Sequence, residues 1–439
     1  MSPELPPEIW DLVFENLPRH SILTLRTVSS FFYDLSPPWL YRQFRYRFGI
    51  FVKQPGESYV QRRLDRLSFW SSGKAAPHVL GCYIYYSDAR SFTGPLMNAL
   101  FEAIPHFSNL QSLSCNFDAF RAELPLLRVE NLMRLRRLHI HGGELSRANE
   151  PTAFKLSVSH FGYTAISVPR SYDGVERSSV LSLLDPATLS SLELGAGSDP
   201  GAPEHFLADK TIVASFHNLR TLSITFWEIT DFACVHAAIA PFPAIEDLIL
   251  DTVHPCKFVP GSLRSELVPL VPLLRRYKGP IGLLPLVLPG SHPAQLTLMR
   301  GSSTDLLQAL LRTRYDAESI TALAIRVLLH ADICEGTVLL ELLALFPNLT
   351  RLAIYVSSDD AGGSDASEAH AAEHVCHRLV NILTVPPALR YVVFRWRLGQ
   401  QDGELVPDVA QLNARLRSVN PGLPLEVAFS SLAADAWGF

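Results

Sequence analysis

Leu135-Arg136-Arg137-Leu138-His139-Ile140 is one statement of a pattern that the chain repeats along most of its length. The form Leu-x-x-Leu-x-Ile returns as Leu189-x-x-Leu192-x-Leu194, Leu219-x-x-Leu222-x-Ile224 and Ile245-x-x-Leu248-x-Leu250. It returns again as Ile320-x-x-Leu323-x-Ile325 and Leu349-x-x-Leu352-x-Ile354. Looser copies are Leu110-x-x-Leu113-x-Cys115, Leu389-x-x-Val392-x-Phe394 and Pro293-x-x-Leu296-x-Leu298. Several copies have a common lead: Phe107-Ser108-Asn109, Phe216-His217-Asn218, Phe242-Pro243 and Phe346-Pro347-Asn348.

The shortest steps between first anchors are 25, 26, 27, 29 and 30 residues. Alternation at the last two anchors is the period of a strand, and Thr304–Arg314, Gly336–Phe346 and Ala366–Leu383 carry the period of a helix. One strand and one helix per step resembles the leucine-rich repeats. The resemblance implies an α/β fold: an irregular solenoid with parallel strands on a concave face and helices outside. The asparagine that normally follows the motif is absent from its usual place. Gaps of 54 residues (Leu135 to Leu189) and 48 residues (Ile245 to Pro293) interrupt the series, and residues 145–185 and 255–290 fit worst. Chance matches from the leucine-rich strands of another α/β protein are the alternative.

In such a coil the anchors point inward and the residues flanking the last two point to the concave face. Those outward positions include Arg137, His139, His141, Glu193, Ser223, Asp247, Asp251, Arg351, Tyr355, Tyr391 and Arg395. They predict a polar face of mixed sign, suited to a protein or peptide target. An inert solvated face is the other reading.

The first fifty residues carry a different period. Ile9, Val13, Phe14 and Leu17 form a helical stripe between Pro6-Pro7 and Pro18. Ser21 is a candidate cap for a second helix carrying Ile22, Leu25, Val28, Phe31, Phe32 and Leu35, and Pro37-Pro38 starts a third over Trp39–Phe48. Spacing alone favours a helical cap on a larger core. Such short helices bury little apolar surface by themselves and complete their core against something else.

The residue types point elsewhere. Leu5-Pro6-x-Glu8-Ile9-x-x-x-Val13-Phe14-x-x-Leu17, followed by Leu25-x-x-Val28-Ser29-x-x-Phe32-x-x-Leu35, resembles the F-box, most of all the F-box proteins that fungi encode in large families. Ser29 stands where many members have Cys and Phe32 where many have Trp. The resemblance implies a trihelical module that binds a Skp-family adaptor and, through it, cullin and RING subunits. By position, Leu5, Pro6, Ile9, Phe14, Leu17, Leu25, Val28 and Phe32 match the apolar residues that the family divides between its own core and that adaptor. Which of them face the adaptor is open at this point.

Composition narrows the function. At 439 residues the chain is too long for one compact core, and 48% hydrophobic with 18% charged residues is globular composition. A net charge of −5 argues against nucleic acid or an anionic membrane as partner. The six cysteines form no CxxC pair, which fits reduced thiols in the cytoplasm or nucleus. Met1 to Glu8 is no signal peptide, and the most apolar stretch, Ile281–Pro289, is too short to span a bilayer. No phosphate-binding loop, dinucleotide fingerprint or GxSxG elbow occurs. His370, His374 and His377 with Cys376 could in principle hold zinc, and the acidic run Ser357–Glu368 calcium, but neither has the usual ligand spacing.

The expected organisation is a Skp-binding domain over 1–50, a linker with a first helical segment over 51–78, a repeat body over 79–430 and a tail over 431–439. The expected function is a non-catalytic, cofactor-free substrate adaptor of a Skp–cullin–F-box ubiquitin ligase with an unknown protein target. A repeat scaffold without any ligase role is the alternative, and an enzyme with a site built from distant residues is a third.

Overall fold

Prolines punctuate the N-terminal helices in the computed structural model, which describes residues 6–48, 57–86, 94–117, 132–142, 155–164, 181, 184–195, 207, 216–229, 231–254, 270–301, 303–313, 315–328, 337–357, 388–396 and 426–431. Pro6 caps helix α1 (Pro7–Asn16), where the missing N–H has no intrahelical partner to lose. Leu17 is extended because Pro18 follows it, and Pro18 opens α2 (Arg19–Arg26). The helix expected to run on from Ser21 to Leu35 is two helices. It breaks after Arg26, and the Ser29 hydroxyl accepts the Phe32 N–H at 3.3 Å, capping α3 (Ser30–Leu35). Phe14, Ile22 and Leu40 form the buried centre of this small bundle, with Trp10, Leu17, Leu25, Phe32 and Leu35 packed around them.

The helix expected over Trp39–Phe48 is a single turn, α4 (Pro37–Leu40), and then a strand, β1 (Gln43–Phe48). The reason is the period of two in Gln43-Phe44-Arg45-Tyr46-Arg47-Phe48: Phe44 and Tyr46 go inward and are fully buried. The parallel sheet therefore begins at residue 43, inside the expected 1–50 module, rather than at 79. The expected linker holds helix α5 (Glu57–Ser71).

The chain divides into two compact units, residues 1–218 and 219–439. In the first, β1, β2 (Gly81–Tyr86), β3 (Ser112–Phe117), β4 (Arg137–His141), β5 (His160–Thr164) and β6 (Ser191–Gly195) pair in parallel, each with the next in sequence. Helix α6 (Gly94–Ala103) packs on α5. The anchors are in register across all six strands: Phe44, Cys82, Leu113, Leu138, Phe161 and Leu192 form one row. In the second unit β7 (Thr221–Phe226), β8 (Asp247–Thr252), β9 (Arg276–Pro280), β10 (Gln295–Gly301), β11 (Ala322–Leu328), β12 (Arg351–Ser357), β13 (Tyr391–Trp396) and β14 (Glu426–Ser431) do the same. The helices Phe232–Ile239, Ser303–Arg312 and Thr337–Ala344 lie between these strands; the last two match expectation within a few residues. The expected helix Ala366–Leu383 lies outside the described residues. The architecture is an N-terminal F-box-like helical module followed by leucine-rich-repeat-like coils.

The two sequence gaps each hide a coil. Strand β5 lies in the first and β9 in the second, with Phe161 and Tyr163, or Tyr277, in the place of leucines. At β9 the Tyr277 ring fills the room of the next anchor. A β-carbon on Gly279 would stand 2.5 Å from the Tyr277 hydroxyl and 2.9 Å from the Leu250 carbonyl, so only glycine fits. The apolar run after it turns inward: Ile281, Leu283, Leu284, Leu286, Val287 and Leu288 are all buried.

One hydrogen-bond device repeats from coil to coil. The carbonyl of the residue two before a strand's first anchor accepts two consecutive N–H groups of the next coil. Arg42 receives Leu80 and Gly81, Gln111 receives Arg136 and Arg137, and Thr321 receives Thr350 and Arg351. Hydroxyls reinforce it, as Ser190 donates to the Ser159 carbonyl and Thr350 to that of Thr321. The Phe-x-Asn leads supply the rest. Phe107, Phe216, Phe242 and Phe346 are buried in the coil interior. Asn109, Asn218 and Asn348 donate one coil back to the carbonyls of Pro77, Ala187 and Glu318. The asparagine missing from its usual place is thus replaced in role by one just upstream of the strand.

Candidate partner-docking surfaces

The helical module sorts its apolar residues into two sets. Phe14 is 1% exposed and belongs to the bundle's own centre, and Leu17, Leu25 and Phe32 are half-buried around it. Ile9 and Val28, by contrast, stand 41% and 66% exposed. Pro6 is exposed, and Leu5 lies outside the described residues. Leu12, Leu23, Phe31 and Tyr33 are also large, apolar and exposed, although the sequence reading did not select them. Leu12 sits one turn from Ile9 on α1, so the i, i+3 relation was the signal for it. Phe31 is held edge-on against Trp10 and Phe32, with centroids 6.1 and 5.4 Å away, so its exposed ring is rigid. The Arg26 guanidinium stacks 4.1 Å over the Tyr33 ring and donates to the Tyr41 hydroxyl. Large exposed apolar side chains, two of them packed against neighbouring rings or a guanidinium, are candidates for a protein-docking surface.

On the sheet, alternation places the outward residues as expected. Arg137 and Glu193 are exposed, while His139, His141, Ser223, Asp247, Asp251, Arg351 and Tyr391 are half-buried. Arg395 sits on β13, and its side chain lies outside the described ones. In the first unit the His139 ring lies over Gly162, its register partner, where a β-carbon would come within 2.6 Å. The His139 Nε2 and Asn116 Oδ1 atoms are buried without hydrogen-bond partners among the described residues. Partial desolvation, helped by the Arg137 guanidinium on the neighbouring strand, holds His160 below the ordinary histidine value although the residue is exposed at the sheet face. In the second unit Asp247 is no free acid: the Arg276 guanidinium grips both its oxygens, and Thr221 donates to one at 3.4 Å.

The face is not polar throughout, as had been expected. Tyr355 is buried and packs with Ala324, Ala353 and Val393, and Tyr391 leans on the group. Ala324, Ala353 and Val393 are register partners on β11, β12 and β13, with Tyr355 two residues after Ala353 and Tyr391 two before Val393 on the same face. The two alanines leave room for the tyrosine ring to lie down on the sheet instead of standing into solvent. Among the described residues no three His, Cys, Asp or Glu side chains converge as a metal site, and no helix is long and apolar enough to cross a membrane. The residues His370, His374, His377 and Cys376 lie outside the described residues, as does the acidic run beyond Ser357.

Comparison with known proteins agrees with this geometry at its N-terminal end. The F-box domain family matches residues 2–37, the segment that forms α1 to α3. No curated protein matches the chain. Among solved structures, the leucine-rich repeat-containing protein LegL7 from Legionella pneumophila is similar at 9% identity, covering 89% of this chain and 90% of that one, with a TM-score of 0.33.

Proposed function

We propose that the chain is a substrate-recognition adaptor of a Skp–cullin–F-box-type ubiquitin ligase, working in the cytoplasm or nucleus. The observation that carries this reading is the exposed apolar set Ile9, Leu12, Leu23, Val28 and Phe31 on a module that matches the F-box family. Burying five such side chains contributes roughly 1.5–3 kcal/mol each at best, enough to hold a partner once the entropy of association is met. The Skp-family adaptor would cover this patch and link the chain to cullin and RING subunits. The outward faces of the coils would hold the protein target. Catalysis would belong to the conjugating enzyme and RING subunit, and this chain would contribute proximity.

The test is capture of a purified Skp-family adaptor by the full chain. Ile9→Asp with Val28→Asp should abolish capture while the circular-dichroism spectrum and melting temperature stay unchanged. Undiminished capture by that folded variant would overturn the reading. Deleting residues 1–50 is a poor substitute, because it also removes β1 and the Arg42 carbonyl that pins the next coil.

A further inference from the structure

Four arginines from three separate elements surround one pocket. Arg19 opens α2, Arg42 and Arg45 flank the start of β1, and Arg66 comes from α5. The pocket measures about 310 Å³, at the small end of the range for small-molecule sites, roughly 300–1,000 Å³. Among the described residues Glu15 is the one carboxylate in its lining. Among the described residues none of the four arginines is in an ion pair. Arg45 donates to the Gln43 side chain at 2.9 Å and Arg66 to the Arg45 carbonyl at 3.4 Å, both neutral acceptors. Among the described residues, arginines that do make ion pairs include Arg220, Arg275 and Arg276, each reaching an acidic side chain.

The remaining lining is of two kinds. Trp39 lines the pocket, and the Arg42 guanidinium sits 5.6 Å over its ring. Phe14, Leu40 and Trp70, all nearly fully buried, supply an apolar floor. Guanidinium forks match phosphate oxygens bidentately, and an ionised phosphate presents acceptors to groups that can only donate.

We propose that this pocket binds a phosphomonoester carried on an apolar body. The phosphate lies among the arginines, and the apolar part rests on the floor beside Trp39. The proposal stands independently of the ligase reading. Because the lining draws on α1, α2, α4, β1 and α5, an occupied pocket would tie the helical module to the first coil.

The probe is 1-naphthyl phosphate, titrated into the full-length chain by calorimetry, with the indole resonance of Trp39 followed by NMR and assigned through Trp39→Phe. Saturable binding with a shifted Trp39 signal is expected. Arg42→Gln with Arg66→Gln should weaken it at least about tenfold, since each charge-assisted contact is stronger than a neutral one. Arg19→Gln alone, on an exposed helix start, should weaken it in the same direction and serves if the double variant does not fold. No saturable binding, binding unchanged in a folded arginine variant, or equally tight binding of neutral 1-naphthol would each overturn the proposal.

Discussion

Asn109 Nδ2 donates to the Pro77 carbonyl at 2.6 Å, thirty-two residues back along the chain, while its Oδ1 accepts from Arg134 at 2.7 Å in the coil ahead. One side chain thereby links three successive coils. Asn218 and Asn348 repeat the backward half of the arrangement. In a repeat body, where each coil touches only its neighbours, such links carry cooperativity from one coil to the next.

Asn109→Ala removes the donor and leaves the Pro77 carbonyl unmet. The expected loss is about 1–2 kcal/mol, read as a lower urea midpoint. The slope of the transition should also fall if the coils on either side begin to melt separately. An unchanged midpoint would show that water replaces the asparagine fully.

Phe14→Ala and Val28→Asp should behave oppositely. Phe14 is fully buried, so truncation costs about 3–5 kcal/mol and unfolds the helical module. Val28 is largely exposed, and its change should stay within about 0.5 kcal/mol while adaptor capture is lost. Far-ultraviolet circular dichroism with a pulldown separates the two effects.

Cys82 and Cys115 lie on the adjacent strands β2 and β3, paired with Leu113 and Ile84 respectively, and both are fully buried. Burial pushes the Cys115 thiol up to about 12 and the Cys82 thiol well above its usual range, with Cys115 adding to the latter. Thiolate is the reactive form, so neither should react with Ellman's reagent at pH 8 in the folded chain. Both should react in guanidinium. Mass spectrometry of the labelled peptides decides it, and fast labelling of either in the native chain would contradict their placement.

His160 predicts a pH effect on stability. Partial desolvation first, then Arg137, lowers its proton affinity in the folded chain relative to the ordinary value of 6.5, a small effect for a residue that stands exposed. Above that pH both states are neutral and nothing is lost. As pH falls through 6.5 toward the depressed folded value, the unfolded chain takes up more proton and stability declines. His160→Gln should flatten that part of the profile measured by thermal melts between pH 7.5 and about 5. An identical slope in the variant would refute the assignment.

The leucine-anchored coils were legible because alternation is a local property. Leu222-Ser223-Ile224 points its anchors one way by strand geometry alone. The coils at Phe44, Cys82, Phe161, Tyr277 and Val427 were not legible. Their anchors are aromatic, sulfur-bearing or β-branched, and only pairing with a neighbour puts them in register. The strand at Gln43–Phe48 was obscured for a related reason: its alternation follows directly on the helix start at Pro37-Pro38, and only pairing with Gly81–Tyr86 separates the two. On the outward face, the charge of Asp247 was legible and its capture by Arg276 was not, since those residues meet only across two strands. The burial of Tyr355 likewise depends on the alanines beside it at 324 and 353.

The sequence by itself determined the repeating strand, the phenylalanine leads and the helical N-terminal module, since spacing and side-chain period act over a few residues. Only the tertiary structure decided which apolar side chains of that module are spent on its own core and which stay exposed. It also decided that Arg19, Arg42, Arg45 and Arg66 share one pocket. The physical reason is the same in both cases. Burial and charge clustering are set by neighbours dozens of residues apart, and nothing in the local pattern records who those neighbours are.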